Sequence, residues 1–391
     1  MRSLILPLLL VLHTSLYAQE KGANFRDVDA LALRIPDSQT GTIQGISSYV
    51  TSNFSSRTDR SRAIFIWVAS GIEYDTDNMF AVNFYQSTDE IVKEALSGRK
   101  GVCQHFAELY SAIANLSGIK TYVITGYTRQ NGFVDYLPHA WCASLIDSSW
   151  YLVDPTWGSG YIYNSKFIRK INNDYFKAQP EKLIASHMPF DPLWQLVNHP
   201  VTVREFYEGR TAINTSGPFF SYRDTLERYE QESKIERLIS SGRRIEQNGV
   251  RNSLISERLK QIRREIDYYH DSVRVETYNS AVYHYNDGVN QLNRFIDYRN
   301  RQFTPKKEEP EIREMINIAE WSLVNARLRL QEIKNPGSAT EAAILQLNRS
   351  IDEAMLNLNE QRMFVDKYFR TGKMLRKSLF YKYSWMGIPL K

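Results

Sequence analysis

The sequence predicts an α+β domain followed by an all-α region, and three patterns lead to that fold class. A helical pattern begins at Gln104, and three segments rich in β-branched and aromatic residues follow it as far as Asp154. Between Tyr222 and Phe369 the chain instead has the three-to-four apolar spacing of amphipathic helices and very few strand signals. The change from mixed helix and strand patterns to helical patterns alone comes after about Pro200.

The composition is that of a folded protein, and we expect no metal or cofactor because no motif for one is found. The 391 residues, 42% of them hydrophobic and 13% aromatic, can bury a sizeable core and suggest two domains. The formal net charge of +5 is spread over a large surface and does not favour nucleic acid as a partner. The sequence also has no zinc-type Cys/His cluster, no glycine-rich phosphate loop and no EF-hand calcium loop.

The first 18 residues have the pattern of a secretory signal peptide. Arg2 supplies an early positive charge, an apolar run extends from Leu4 to Leu12, and Ala18 precedes the expected cleavage point. This run is too short to span a bilayer stably, and no other stretch of the sequence reaches that length. We therefore expect a secreted or periplasmic protein without a transmembrane segment.

The segment before the first motif is expected to be largely helical. Helical spacing covers Thr42–Phe54 and Asp59–Ala69, with Asp59 as a candidate cap, and a short helix is expected over Ser87–Leu96. The polar and aromatic stretch from Asp75 to Ser87 has no clear period. If it packs over the site, Gln86 would be a candidate donor to an oxyanion.

Cys103 lies at the start of a predicted helix. Apolar side chains recur on one face of that helix, and Gly118 ends it; the face consists of Phe106, Leu109, Ile113 and Leu116. Unpaired backbone N–H groups and the positive end of the helix dipole favour a thiolate at this position. The backbone N–H of Cys103 would also suit the oxyanion of a tetrahedral intermediate.

His139 and Asp154 are expected on neighbouring antiparallel strands. The predicted strands cover 120–127, 139–146 and 149–154, and a tight turn over residues 147–149 would bring the two side chains to comparable heights. Asp154 would then fix the tautomer of the imidazole. A thiol, an imidazole and a carboxylate in this arrangement are a nucleophile, its general base and the group that orients the base.

These three residues stand in motifs that resemble those of the transglutaminase-like superfamily, whose core has a papain-like fold. The motifs are Gly101-Val102-Cys103, His139-Ala140-Trp141 and Asp154-Pro155-Thr156-Trp157. A trailing segment with Ser186-His187-Met188-Pro189 resembles the kyphoscoliosis-peptidase branch, and the similarity extends over roughly residues 55–200. The resemblance implies a Cys103–His139–Asp154 triad that acts on amide bonds. Our candidates for substrate binding are Trp141, Trp157 and Gln86.

Alternative interpretations remain for several of these residues. Cys103 could be an inert buried cysteine, or it could form a disulfide with Cys142 in an exported chain. His139 could be a structural histidine, and Asp154 could simply form a turn. Strand alternation sends Cys142 to the face opposite His139, where it would be a small core residue. His187 is expected to make a structural hydrogen bond.

The second half is expected to be a small antiparallel helical bundle. Breaks near 242–252, 304–310 and 335–337 delimit the helices, and the last two helices form an αα-hairpin around Asn335-Pro336-Gly337. The aromatic residues of the basic C-terminal tail are expected to pack on the bundle. The predicted organisation is therefore a signal peptide (1–18), a catalytic domain (19–200), a linker (201–221) and a helical bundle (222–391).

Two functions fit these patterns. The first is an exported thiol enzyme that acts on peptide or isopeptide amides through an acyl-enzyme, with the family branch favouring hydrolysis over transfer to an amine. Its partner is a protein or peptide substrate. The alternative is a catalytically silent scaffold that binds a protein partner through its helical domain.

Overall fold

The computed structural model describes residues 25–80, 86–336, 338–383 and 389–390. The predicted signal peptide lies outside the described residues. The chain divides at Ile262 into two compact units, an α+β unit and a helical unit that begins at Arg263. The predicted fold class is confirmed.

Helices and strands are numbered in chain order. The helices are α1 (Arg26–Ala32), α2 (Ile43–Asn53), α3 (Arg57–Gly71), α4 (Thr88–Gly98), α5 (Cys103–Leu116), α6 (Pro180–Leu183), α7 (Val203–Tyr207), α8 (Tyr222–Gln231), α9 (Lys234–Asn248), α10 (Ser253–Asn300), α11 (Glu309–Glu332) and α12 (Ser338–Arg370). The strands are β1 (Glu73–Tyr74), β2 (Lys100–Gly101), β3 (Thr121–Gln130), β4 (Phe133–Ile146), β5 (Ser149–Val153), β6 (Gly160–Tyr163), β7 (Lys166–Arg169), β8 (His187–Pro189), β9 (Lys382–Tyr383) and β10 (Pro389–Leu390).

A four-stranded antiparallel sheet forms the centre of the first unit, with strand order β5-β4-β3-β8. Asp147 and Ser148 form the turn between β4 and β5, both with positive φ (48° and 68°), and Ile146 pairs with Ser149 across it. Two consecutive residues in this conformation make the turn that suits the twist of a hairpin. The three predicted strands and the hairpin are confirmed.

Each face of this sheet packs against its own apolar cluster. On one face, Phe106 of α5 packs in a cluster with Phe65 of α3 and Cys142 of β4. On the other face, Trp141 of β4 packs with Trp194 and with residues from α8. The alternation along β4 therefore fixes α5, with Cys103 at its first residue, against one side of the sheet.

Helix α3 begins earlier than the sequence pattern suggested. The helix starts at Arg57, and Ser56 is its N-cap, with the side-chain oxygen accepting a hydrogen bond from Asp59 N at 2.9 Å. The prediction that Asp59 caps this helix is wrong, because Ser56 stands three residues earlier with the extended backbone that a capping residue needs.

A buried ion pair holds α1 to α3. Arg62 is 2% exposed and donates from Nε and Nη2 to the two carboxylate oxygens of Asp29, both at 2.7 Å. Its guanidinium also lies over the rings of Phe25, Phe65 and Phe176, 5.0 to 5.3 Å from their centroids. The fork geometry and the aromatic enclosure compensate a charge that would otherwise be costly to bury.

Helices α8 and α9 belong to the first compact unit. Arg244 of α9 donates to both carboxylate oxygens of the buried Asp191, at 2.8 and 2.6 Å, and Tyr229 of α8 contacts Trp194 edge-on at 5.2 Å. The division of the units at Ile262 therefore differs from the boundary at residue 222 that the sequence suggested. Helical spacing identified these helices but contained no information about which surface they pack against.

The second unit contains most of α10 together with α11 and α12. Its core includes Phe295, Leu323 and Leu358, and α11 and α12 pack as the predicted αα-hairpin. Phe380 contacts Phe303 at a centroid distance of 5.6 Å, so this tail residue packs on the bundle as expected. None of the helices in the described ranges is long and apolar enough to span a bilayer.

Candidate active site

Cys103 is the first residue of α5, and a neighbouring histidine organises the helix start. The N–H of Val102 donates to His105 Nδ1 at 3.2 Å, so this ring is held over the N-terminal turn. A side chain at Gly101 would meet that ring, because a Cβ there would lie 2.5 Å from His105 Cγ. Cys103 is a free thiol, 5% exposed, and opens onto a cavity.

His139 and Asp154 form a buried hydrogen-bonded pair. His139 Nε2 donates to Asp154 Oδ2 at 2.8 Å, and the two residues are 8% and 0% exposed. Because Nε2 is engaged by the carboxylate, Nδ1 is the ring nitrogen left to interact with the nearby Cys103 thiol. The structure thus brings together the three residues that the sequence singled out.

Four donors satisfy the Asp154 carboxylate. Oδ1 accepts from the backbone N–H groups of Thr156 (2.8 Å) and Trp157 (3.1 Å), and Oδ2 accepts from His139 (2.8 Å) and His187 (3.0 Å). Burial alone would raise the pKa of Asp154, but the charge of His139 and the hydrogen bonds from both imidazoles hold that pKa well below its usual range. Asp154 is therefore a buried anion at neutral pH.

The buried anion determines the charge of His139. Burial disfavours the imidazolium, but the Asp154 carboxylate and the contact with Cys103 outweigh that effect and raise the pKa of His139 to about 10. His139 therefore carries its proton at neutral pH.

His187 makes the structural hydrogen bond that the sequence predicted, but its partner, Asp154 of the triad, was not predicted. Strand β8 pairs with β3 and places His187 beside Asp154, 33 residues away in sequence. Burial lowers the pKa of His187 and outweighs the opposing effect of Asp154, so this imidazole is neutral. The Ser186-His187-Met188-Pro189 motif was the available signal, but local spacing could not indicate its partner.

The donor atoms of His139, Asp154 and His187 lie within 4.8 Å of one another, which is close enough to hold a metal ion. The 2.8 and 3.0 Å separations between the ring nitrogens and Asp154 Oδ2 are hydrogen-bond lengths. Since hydrogen bonds already satisfy the carboxylate, these three residues form a hydrogen-bonded cluster rather than a set of metal ligands.

Cys103 and His139 open onto a cavity of about 810 Å³ whose wall combines aromatic rings with polar side chains. The wall contains Trp157 and six further aromatic side chains, namely Tyr74, Phe80, Tyr136, Tyr161, Phe167 and Tyr175. The charged groups in this wall, over the described part of the chain, include Asp135 and Lys170. Such a wall suits a bulky apolar group with a polar backbone.

Of the three residues suggested for substrate binding, the structure brings Trp157 alone to the cavity wall. Trp141 is fully buried and stacks on His139 at a centroid distance of 5.9 Å, so it packs against the imidazole ring. Gln86 donates to Glu94 at 2.6 Å and stays outside the wall. Both assignments are corrected accordingly, because Trp194 and His187 cover Trp141 on its face of β4 and a local hydrogen bond holds Gln86.

Cys142 lies in the core, away from His139. Its Sγ donates to the carbonyl of Ala107 at 3.3 Å, and burial raises the pKa of its thiol well above the ordinary value. Cys103 and Cys142 are both free thiols, so they do not form the disulfide that the sequence left as an alternative.

Tyr74 is a residue that the sequence analysis missed. It ends β1 in the cavity wall, and burial followed by the nearby Cys103 and Asp154 raises its pKa, so the hydroxyl keeps its proton. Within residues 25–80 and the other described ranges, this hydroxyl has no hydrogen-bond partner. Tyr74 therefore brings a protonated hydroxyl to the wall that contains Cys103.

Part of this chain is similar in sequence to known proteins. The sequence model of the transglutaminase-like superfamily matches residues 44–155, a range that contains Cys103, His139 and Asp154. Kyphoscoliosis peptidase from Homo sapiens is 33% identical over 159 residues, which are 38% of this chain and 23% of that protein. Hillarin from Drosophila melanogaster is 22% identical over 202 residues, 46% of this chain and 24% of that protein.

A solved TGase structure is also similar, with 22% identity and a TM-score of 0.24 over 39% of this chain and 37% of that one. The chain spans about a quarter of the length of the curated relatives named above. The resemblance inferred from the three motifs is confirmed: residues 44–155 of this chain are a domain of the transglutaminase-like superfamily, followed by a large helical region.

Proposed function

We propose that this protein is a thiol enzyme that cleaves peptide or isopeptide amides through an acyl-enzyme. The observation that carries the proposal is the buried His139–Asp154 hydrogen bond of 2.8 Å beside a free Cys103 at a helix start. A nucleophile, an imidazole and an orienting carboxylate in this order are what amide acyl transfer needs. The name of the relative kyphoscoliosis peptidase supports hydrolysis.

In the proposed reaction, Cys103 reacts as a thiolate beside the His139 imidazolium. The sulfur attacks the amide carbonyl and forms the C–S bond of a tetrahedral intermediate. The C–N bond then breaks as His139 gives its proton to the leaving amine, which leaves a thioester and a neutral imidazole. Water attacks the thioester carbonyl as His139 takes a proton from it. The second tetrahedral intermediate then collapses as the C–S bond breaks, which releases the acid product and restores the Cys103 thiolate beside the His139 imidazolium. If an amine attacks instead of water, the same steps give a new amide.

The cavity favours a substrate with a bulky apolar side chain on the acyl side of the amide. Its wall is rich in aromatic rings, and Asp135 and Lys170 are the charged side chains named above. Burying an aromatic side chain against such a wall is favourable, whereas an acidic side chain would lose its hydration. We propose export from the cell and a partner-binding role for the helical unit as parts of the same function.

The test uses two peptide acyloxymethyl ketones that differ at the residue before the reactive ketone, Phe in one and Glu in the other. Peptide mapping by mass spectrometry reads which cysteine is alkylated. We expect the Phe probe to label Cys103 at least about tenfold faster than the Glu probe, since an apolar ring gains about 2 kcal/mol in the cavity. Cys142 should stay unlabelled, because it is buried in the core.

The His139→Ala variant completes this test. Loss of the imidazole removes the cation that supports the Cys103 thiolate, so labelling at neutral pH should slow strongly. His199→Ala is the matched control, since His199 bonds the carbonyl of Gly217 and lies outside the cavity wall. Absence of Cys103 labelling, or labelling that does not depend on His139, would contradict the proposed function.

Tyr74→Phe tests whether the Tyr74 hydroxyl stabilises the oxyanion together with the Cys103 backbone N–H. Removing one oxyanion donor costs about 100-fold in kcat in well-studied proteases, so we expect a loss of that order with KM nearly unchanged. The ring and its packing stay in place. Tyr136→Phe, which removes a hydroxyl from a more exposed part of the same wall, is the comparison. Equal losses in both variants would argue against an oxyanion role for Tyr74.

A further inference from the structure

His187 is a buried imidazole that contacts the triad without facing the cavity. Its Nε2 lies 3.0 Å from Asp154 Oδ2, the same oxygen that accepts from His139 at 2.8 Å. The side chains of His187 and Asp154 are both 0% exposed, so no bulk water competes for this bond. One carboxylate oxygen therefore bonds two imidazoles.

The neighbours of His187 determine which nitrogen carries the proton. Ser186 Oγ lies 2.8 Å from His187 Nδ1 and 3.3 Å from the carbonyl oxygen of Leu183. Because the ionised Asp154 carboxylate can only accept, Nδ1 of the neutral ring is left to accept from the Ser186 hydroxyl. Nε2 then carries the N–H group that points at Asp154. The ring is enclosed by Trp157 and Trp141, at centroid distances of 4.6 and 5.2 Å. This apolar enclosure disfavours a second imidazolium beside the first.

A neutral donor at this place has a specific consequence for the triad. A second cation would compete with the His139 imidazolium for the negative charge of Asp154. A neutral N–H group stabilises the carboxylate without weakening the ion pair between Asp154 and His139. The extra hydrogen bond also makes Asp154 a weaker base, so the shared proton stays on His139. Finally, it fixes the rotation of the carboxylate, because each oxygen then has two donors.

We propose that His187 is a positioning residue that holds Asp154 Oδ2 towards His139 and keeps the carboxylate ionised during proton transfer. The inference rests on the proposed thiol chemistry and deepens it, since it adds a fourth residue on which the proton position of His139 depends. His187 acts through Asp154 and touches no reacting atom.

The test compares His187→Phe with His187→Gln in the full chain. Phe keeps the ring volume and removes the donor, whereas Gln keeps an N–H donor near the position of Nε2. The readout is the rate of Cys103 alkylation by iodoacetamide as a function of pH, followed by mass spectrometry, which requires no substrate. Thermal unfolding of each variant is measured alongside, so that a loss of stability is separated from a change in the pH profile.

We expect His187→Phe to move the acid limb of the alkylation profile upwards by about one pH unit and to lower the plateau about tenfold. The sign follows from the lost hydrogen bond. Without that donor the Asp154 anion is less stable, so Asp154 takes up a proton at a higher pH. The ion pair between Asp154 and His139 is therefore lost at a higher pH as the solution is acidified. His187→Gln should keep the acid limb near its position in the unmodified protein.

Two results would overturn the inference. One is an unmoved acid limb in His187→Phe. The other is an equal shift in His187→Gln, which would mean that ring packing rather than the donor matters. If His187→Phe does not fold, Ser186→Ala serves instead. The hydrogen bond that Nδ1 accepts from the Ser186 hydroxyl polarises the ring and strengthens the Nε2–H donor, so its loss should move the limb in the same direction by a smaller amount. An unmoved limb there would overturn the inference.

The outcomes for His187 and for the proposed function are separable. If the peptide ketones fail to label Cys103 while His187→Phe still shifts its alkylation by iodoacetamide, the positioning role stands and the amide chemistry fails. If labelling by the peptide ketones depends on His139 but the His187 variants behave like the unmodified protein, the thiol chemistry stands and the positioning role fails.

Discussion

Replacing Cys103 with Ala should lower kcat by at least about 10⁴-fold towards any amide that the unmodified protein cleaves. The reason is that the other cysteine, Cys142, cannot act as the nucleophile, since its thiol bonds the carbonyl of Ala107 in the core. The fold should survive, because Cys103 lies at a helix start and Ala is a good helix former. Turnover and circular dichroism of the same preparation are the measurements.

Cys142→Ala is the matched control for this substitution. It also removes one buried sulfur, with a modest stability cost from the lost packing, but it leaves the cavity intact. We expect its kcat to equal that of the unmodified protein. Conversely, full biological activity in Cys103→Ala would favour the alternative of a scaffold that works through its helical unit.

Local patterns were sufficient to predict the elements that hold the triad. Cys103 at the start of α5 follows from the apolar spacing of the next residues, and the β4–β5 hairpin follows from two strand-like segments joined by a turn sequence. These features depend on interactions between residues close in sequence. The pairing of His139 with Asp154 follows from them, because a hairpin brings its two strands into register.

Contacts between distant segments were not predictable in the same way. His187 reaches Asp154 because β8 pairs with β3, and nothing in the sequence near Asp154 indicates that pairing. Tyr74 reaches the cavity wall because β1 pairs in parallel with β2 just before Cys103. Trp141 was assigned to the substrate although its position on β4 buries it. Motif membership indicated that His187 and Trp141 matter, but the direction of their side chains is set by tertiary pairing.

Asp154→Asn should be nearly as damaging as the loss of the nucleophile, although it changes no volume. Asn can still accept from the backbone N–H groups of Thr156 and Trp157 through Oδ1. Its NH₂ group would then face the Nε2 atoms of His139 and His187, which now meet a donor instead of an anion. His139 must therefore accept at Nε2 and carry its proton on Nδ1.

This tautomer of His139 cannot take a proton from Cys103, so we expect kcat to fall by about 10⁴-fold. The charge of His139 should change as well. In the unmodified protein its pKa is raised to about 10 by Asp154, so the imidazolium persists through neutral pH and is lost only as the pH rises through that value. Without the anion, burial dominates, and the pKa should fall to the ordinary value of about 6.5 or lower.

Imidazole NMR of ¹³C-labelled protein measures this shift directly, with His139→Ala identifying the resonance. Asp174→Asn is the control, because Asp174 is an exposed acid next to the cavity residue Tyr175 and makes no hydrogen bond to the triad. The NMR spectrum and the turnover of Asp154→Asn are then compared. A neutral His139 at pH 7 together with lost turnover would show that the buried carboxylate acts by keeping the proton on this imidazole. If Asp154→Asn instead keeps the imidazolium, or retains more than about a tenth of the turnover, Asp154 would be a packing residue.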